Sequence, residues 1–203
     1  MVVPETVVFD LGKVLLEFDY SKAARRLAAN STASADEIKR LINQSPLLFR
    51  YETGLMSKQE FYEAIRSETG FRGNLAEFSS VFGDIFDPMP EMIELHAALK
   101  MKGVPTYIFS NTNELAVAHI RQNFPFFGRF DGYIFSYEQC AMKPDAKIYE
   151  VVEQKTGHQR EKIIYIDDRP ENIAAGAARG WQVVLQETPA KSRAALRKAG
   201  LLD

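Results

Sequence analysis

The pattern of apolar positions changes period twice along the chain. Residues 6–9, Thr-Val-Val-Phe, are an unbroken run of β-branched and aromatic types that stops at Asp10, with Gly12 close behind. Such a run predicts a strand buried on both faces. Residues 14–18 stay apolar, and then Tyr20, Ala23, Ala24, Leu27 and Ala28 recur at helical spacing. Ser34 with Glu37 and Ser57 with Glu60 are capping-box pairs that open two further helices, the second stopping at Gly70. Pro46 suits the first turn of a short helix between them, and 74–86 reads as one more. Residues 19–87 are therefore expected to be helical, with no strand.

From residue 90 the rhythm alternates. A helix ending at Gly103 precedes a strand at 104–109, closed by Ser110-Asn111-Thr112-Asn113. A helix over 114–123 leads to a strand at 132–136, and Lys143-Pro144-Asp145 opens a helix that stops at Gly157. A strand at 162–166 ends in Asp167-Asp168, Pro170 begins a helix, and 181–185 is the last strand before a basic helix or tail at 189–198. Alternating strands and helices predict an α/β fold, a parallel Rossmann-like sheet with right-handed crossovers. The division expected is a core of residues 1–17 and 88–203 with an α-helical cap, 18–87, inserted after the first strand and lying above its carboxyl end.

Composition narrows the function classes. A length of 203 residues suffices for one core domain with an inserted subdomain. Twenty-five basic and 27 acidic residues give a net charge of −2, which supplies no electrostatic case for nucleic acid or an anionic membrane. The single Cys140 excludes an internal disulfide, and the N-terminal residues lack a basic stretch followed by a long apolar one. A cytoplasmic, soluble protein is the expectation, with oligomeric state open.

Four polar clusters stand out: Asp10, Ser110-Asn111, Lys143 and Asp167-Asp168. Three of them follow strands and one opens a helix, and in a parallel sheet such points converge on one edge, where ligands bind. Taken singly each has an ordinary role: Asp10, Ser110 and Asn111 as turn residues, Lys143 as a solvated helix start, Asp168 as a helix cap. Together they suit a metal-bound phosphate. Asp10 is placed to attack phosphorus, Asp10 and Asp167 to share Mg²⁺, Lys143 to neutralise charge, and Ser110 with the Asn111 backbone amide to donate to phosphate oxygens.

Phe9-Asp10-Leu11-Gly12-Lys13-Val14, Phe109-Ser110-Asn111-Thr112-Asn113, Lys143-Pro144-Asp145 and Ile166-Asp167-Asp168-Arg169-Pro170-Glu171-Asn172 resemble, in order, the four motifs of the haloacid dehalogenase superfamily. Within it the chain is most similar to the bacterial group containing α-D-glucose-1-phosphate phosphatases. The resemblance implies a Mg²⁺-dependent phosphatase of a small phosphorylated metabolite. It implies Asp10 as nucleophile and metal ligand, the Gly12 carbonyl and Asp167 as further Mg²⁺ ligands, and Ser110 and Asn111 as phosphate binders. Lys143 would be the charge partner, and Asp168 would hold Lys143 or a metal-bound water.

One position departs from the common pattern. Most phosphatases of the superfamily carry a second aspartate where this chain has Gly12, as general acid and base, a role worth on the order of 10²–10⁴ in rate. Three readings follow: a phosphatase that uses good leaving groups or borrows its acid from a cap residue or water, a 2-haloacid dehalogenase, or a phosphate-binding regulatory module with little turnover. Lys13 reads as solvated or as charge near the leaving group. Glu17, Asp19 and Tyr20 sit at the hinge into the cap and are candidates for substrate contact, with helix capping the favoured role for Asp19. Arg50, Tyr51 and Glu52, beside Gly54, read as ordinary cap surface ahead of an alternative in which they face a sugar, and His96 reads as packed; His119 and His158 form no metal-ligand pattern.

Overall fold

The computed structural model describes residues 2–203; Met1, the first residue of the expected core segment, lies outside them. Five strands form a parallel sheet: β1 (Thr6–Phe9), β4 (Thr106–Ser110), β5 (Gly132–Phe135), β6 (Ile163–Asp167) and β7 (Gln182–Leu185). Their spatial order is β5-β4-β1-β6-β7, so β1 lies at the centre with β4 and β6 as its neighbours. All four residues of β1 and all five of β6 are buried, as expected for strands covered by helices on both faces.

One face carries α6 (Pro90–Met101), α7 (Glu114–Asn123) and α11 (Pro189–Lys198), with a 3₁₀ turn at Pro125–Arg129 leading from α7 to β5. Their apolar side chains pack with Val7, Phe9, Ile164 and Ile166 of the sheet. The other face carries α9 (Ala146–Thr156) and α10 (Pro170–Ala178), with Tyr149, Val152 and Trp181 packed on Val8, Phe109 and Tyr165. The short α8 (Ser136–Gln139) follows β5, and a 3₁₀ turn at Arg160–Lys162 leads into β6. Gly176 of α10 faces Tyr165 and Val183; an added Cβ would already touch them at 3.2–3.3 Å, so the helix lies close on the sheet.

Between β1 and α6 the chain forms five helices: α1 (Tyr20–Ala28), α2 (Ala35–Ile42), α3 (Pro46–Glu52), α4 (Lys58–Thr69) and α5 (Leu75–Gly83). Both capping boxes read in the sequence are formed, and Asn74 with Glu77 makes a third. The helices enclose their own core around Phe61, Phe78 and Phe82. Two short strands form the base, and the second of them departs from an all-helical reading of 19–87. β2 (Leu16–Phe18) and β3 (Phe86–Pro88) pair antiparallel, and α5 ends at Gly83 rather than running to 86. Each strand has three residues, too few to show a period of two, and the pairing joins positions 68 to 72 residues apart, Leu16 with Pro88 at one end and Phe18 with Phe86 at the other. Among the described residues no helix is long and apolar enough to cross a membrane.

Candidate active site

Three strands deliver the site. β1 ends at Phe9, leaving Asp10 at the carboxyl edge with its N–H donating to the Ile166 carbonyl at 2.9 Å. β4 ends on Ser110 and β6 on Asp167, in the two strands that flank β1. Lys143 enters from the loop before α9. Its ammonium sits 2.8 Å from Asp10 Oδ1 and 2.7 Å from Asp167 Oδ2, and donates to the Phe109 carbonyl at 2.9 Å. With 1% of its side chain exposed, Lys143 is a buried charge held by two carboxylates.

The loop that carries Lys143 is fixed by Asn111. Its side-chain amide donates to the Lys143 carbonyl at 3.0 Å, and its side-chain oxygen accepts the Lys143 N–H at 2.8 Å. The Asn111 side chain is thereby engaged, which leaves its backbone amide as the group to offer a ligand. Ser110 Oγ makes only a long contact of 3.4 Å, to the Asn111 carbonyl. Asp167 is the most tightly held member: Arg169 N–H donates to Oδ1 at 2.8 Å, the Asn172 amide reaches both oxygens at 3.0 and 3.1 Å, and the Tyr165 hydroxyl donates to Oδ2.

These contacts set the charges. Burial would raise Asp167, but Lys143 and the converging donors outweigh it and hold the carboxyl below the usual range. Asp10 has fewer donors. Burial pushes it up to about 7, with Lys143 pulling down and Asp167 pushing further up. Burial also works against the Lys143 charge, yet the two carboxylates keep its pKa above the ordinary lysine value. Asp168 is raised by burial and by the neighbouring Asp167.

Asp10, Asp167 and Asp168 each bring an oxygen within 4.8 Å of the others. One ammonium leaves this cluster with an excess of negative charge in a largely buried place. A hard divalent cation that takes carboxylate oxygens, a carbonyl and water fits such a donor set. Asp168 forms no ion pair with Lys143 among the described residues; Asp10 and Asp167 are the carboxylates that hold it.

The cluster forms the floor of a cavity of about 690 Å³ between sheet edge and helices. Gly12, Ser110, Asn111, Lys143, Asp168 and Asn172 line it from the core, and Asn43, Gln44, Leu48, Phe49 and Glu52 from the cap side. All of the sequence-predicted site residues except Asp167, whose side chain lies behind Lys143 with no exposure, face this space. Lys13 stands at its rim, paired with Glu17 and 5.2 Å from the Phe18 ring centre. Asp19 caps α1 by accepting the Ser21 N–H at 2.8 Å. His96 is buried against Phe130.

Two site residues go beyond the roles that the sequence favours. Asn172 lies inside the fourth motif, where the resemblance assigns it no role, and Glu52 lines the cavity rather than the outer cap surface, the less favoured of its two readings. A third finding concerns Gly12. A Cβ there would stand 2.8 Å from Cε1 of Phe18, so an aromatic ring occupies the space into which a side chain at this position would grow.

Comparison with known proteins gives a consistent answer. Residues 4–180 match the family of haloacid dehalogenase-like hydrolases. The chain is 26% identical over 178 residues to a sesquiterpene phosphatase of Aspergillus oryzae, covering 87% of this chain and 86% of that one. It is 23% identical over 196 residues to a D-ribitol-5-phosphate phosphatase of Bacteroides thetaiotaomicron, covering 93% and 95%. Among solved structures, a haloacid dehalogenase family enzyme of Bacteroides thetaiotaomicron in complex with magnesium and inorganic phosphate superposes with a TM-score of 0.78 at 21% identity, over 90% of this chain and 93% of that one.

Proposed function

The chain belongs to the haloacid dehalogenase-like hydrolase family, and within it we propose a Mg²⁺-dependent phosphatase of a small hydroxylated phosphate ester, a sugar or polyol phosphate such as glucose 1-phosphate, working through an aspartyl-phosphate. The observation that carries this reading is the buried Lys143 between Asp10 and Asp167, with Asp168 beside them. Asp10, the Gly12 carbonyl and Asp168, which face the cavity, would hold Mg²⁺, while Asp167, the ligand that the motif suggested, is taken up behind them by Lys143, Tyr165 and Asn172. When bound, the metal screens the nucleophile from the anionic phosphate and balances charge on the transferring group.

The chain's own residues then have distinct tasks. Asp10 takes the phosphoryl group as the ester oxygen leaves, and water later displaces the aspartate to release inorganic phosphate. Lys143 keeps Asp10 oriented and offsets charge on the phosphoryl oxygens. Ser110 Oγ and the Asn111 amide donate to those oxygens. Asn172, Tyr165 and the Arg169 N–H hold Asp167 in its ionised form. The cap-side amides of Asn43 and Gln44 suit a hydroxylated leaving group.

Haloacid dehalogenases are also similar to the chain, at 22% identity. Halide departure needs no metal, however, and the triple carboxylate cluster favours phosphate chemistry. The test is phosphate release with Mg²⁺ from glucose 1-phosphate, ribitol 5-phosphate and acetyl phosphate, set beside chloride release from a 2-chloro acid. Turnover of at least one phosphate, lost in Asp10→Asn, is expected. Chloride release without phosphate release would overturn the reading.

A further inference from the structure

Gly12 leaves the site without the usual acid, and the cavity contains one carboxyl that the scheme above does not use. Glu52 is the last residue of α3, and its side chain lines the same cavity as Asp10, Gly12 and Lys143. The segment around it is moored to the core. The Glu52 carbonyl accepts a hydrogen bond from Ser136 Oγ at 2.6 Å, and that hydroxyl accepts the Thr112 N–H at 2.9 Å. The Tyr51 hydroxyl accepts the Leu115 N–H at 3.3 Å. Glu52 is therefore registered against the Ser110–Asn113 loop, the same loop that offers donors to the phosphoryl group.

Its immediate partners are polar but uncharged. Asn113 accepts the Ala116 N–H through its side-chain oxygen at 3.0 Å, capping α7, which turns its amide toward Glu52. The Tyr20 hydroxyl, from α1, is the second partner. Tyr20 is held well above the ordinary tyrosine pKa by burial and by Glu52, so it stays a donor. The charged groups around the rest of the cavity are Asp10, Lys13, Lys143, Asp168 and Arg169.

We infer that Glu52 is the general acid and base of this site, supplying from the cap what position 12 lacks. As Asp10 bonds to phosphorus and the ester P–O bond breaks, the Glu52 carboxyl gives its proton to the departing oxygen. Water then attacks the aspartyl-phosphate and passes a proton to the Glu52 carboxylate, restoring both side chains as inorganic phosphate leaves. Burial pushes the Glu52 carboxyl up to about 7, against the pull of Asn113 and Tyr20, which suits a group that must give and take a proton near neutrality. The inference rests on the phosphatase reading and sharpens it.

The test compares two esters with Mg²⁺-loaded protein, reading kcat/KM, which reports steps through departure of the leaving group. Glycerol phosphate needs a proton on its leaving alkoxide; 4-nitrophenyl phosphate does not. Glu52→Gln should lower kcat/KM on glycerol phosphate by on the order of 10²-fold or more and change 4-nitrophenyl phosphate by less than about threefold. The high-pH fall of the glycerol phosphate profile should vanish in this variant. Tyr20→Phe removes a neighbouring hydroxyl that favours the carboxylate, so that fall should move to higher pH. Equal losses on both esters, or a KM increase at constant kcat, would overturn the acid role while leaving the phosphatase reading intact. A wild-type protein idle on both esters would remove the phosphatase reading and this inference with it.

Discussion

Placing the missing aspartate back at position 12 is the obvious experiment, and the geometry says that it fails when done alone. An ideal Cβ on Gly12 lies 2.8 Å from Phe18 Cε1 and 3.2 Å from Cδ1. The ring has limited room to withdraw, because it packs edge-on against Tyr20 with centroids 5.9 Å apart and against Phe86 at 6.4 Å. Forcing extra atoms into such a contact costs about 1–3 kcal/mol, which for a chain of this size lowers Tm by roughly 2–12 °C. Gly12→Asp is thus expected to destabilise the protein and bring no gain on alkyl phosphates. Phe18→Ala opens the space at its own cost in lost packing. In the double variant the clash disappears, so the two losses should fall short of additivity by about 1–3 kcal/mol, the size of the relieved overlap. The assay is a thermal double-mutant cycle run beside kcat/KM on glycerol phosphate in a Glu52→Gln background. There the Gly12→Asp, Phe18→Ala pair should recover on the order of 10²-fold in rate, whereas Gly12→Asp alone should not. A single Gly12→Asp variant with unchanged Tm and raised alkyl phosphatase activity would refute the steric argument.

Lys143→Met should abolish turnover and, in metal-free protein, cost about 3–5 kcal/mol in urea unfolding, because it leaves Asp10 and Asp167 facing one another without their shared cation. Mg²⁺ at about 100 times its Kd should stabilise the wild type by about 2.7 kcal/mol, seen as a higher Tm, and Asp168→Asn should erase most of that shift. His96 gives an acid-sensitive element away from the site: burial, with Lys100 nearby, depresses its pKa to about 4, and its ring is stacked on Phe130. The unfolded chain takes up the proton near pH 6.5 and the native one only near 4, so stability is lost as pH falls through that window, by about 3 kcal/mol in total. His96→Gln should flatten the slope of unfolding free energy between pH 6.5 and 4, and an unchanged slope would show that other groups carry it.

The core and the polar cluster were legible because both are written in short contiguous stretches. Thr6–Phe9 and Ile163–Asp167 are apolar runs that stop on a carboxylate or its neighbour, and the alternation of elements brings the carboxyl ends of parallel strands to one edge, while the order that makes these two strands neighbours is a property of the fold. Lys143 was legible as a candidate charge for the site, but not as a buried one. Nothing in Met142-Lys143-Pro144 distinguishes a buried ammonium from a solvated one; what buries it is the Asn111 side chain gripping its backbone from 32 residues away. The β2–β3 pair was illegible for a similar reason, since three-residue strands have no period and their partner lies beyond five helices.

Glu52 and Phe18 show where reading by position stops. Glu52 lies on a cap helix that the pattern predicted and Phe18 on a short strand that it did not, and the directions of both are set by contacts with other segments: Ser136 and Thr112 behind α3, Tyr20 and Phe86 around the ring. Position 12 makes the point sharply. In sequence it is an absence, one carboxylate fewer than the common pattern. In the fold it is an occupied place, filled by a ring from β2, while a carboxyl from α3 opens onto the same cavity. Restoring a side chain at position 12 and removing one at position 52 are therefore not independent operations, because the proton that reaches the leaving oxygen can come through either place only when the other is arranged to let it. Rate changes should be strongly non-additive between these two positions and additive between either of them and His96, which is buried on Phe130 away from the cavity.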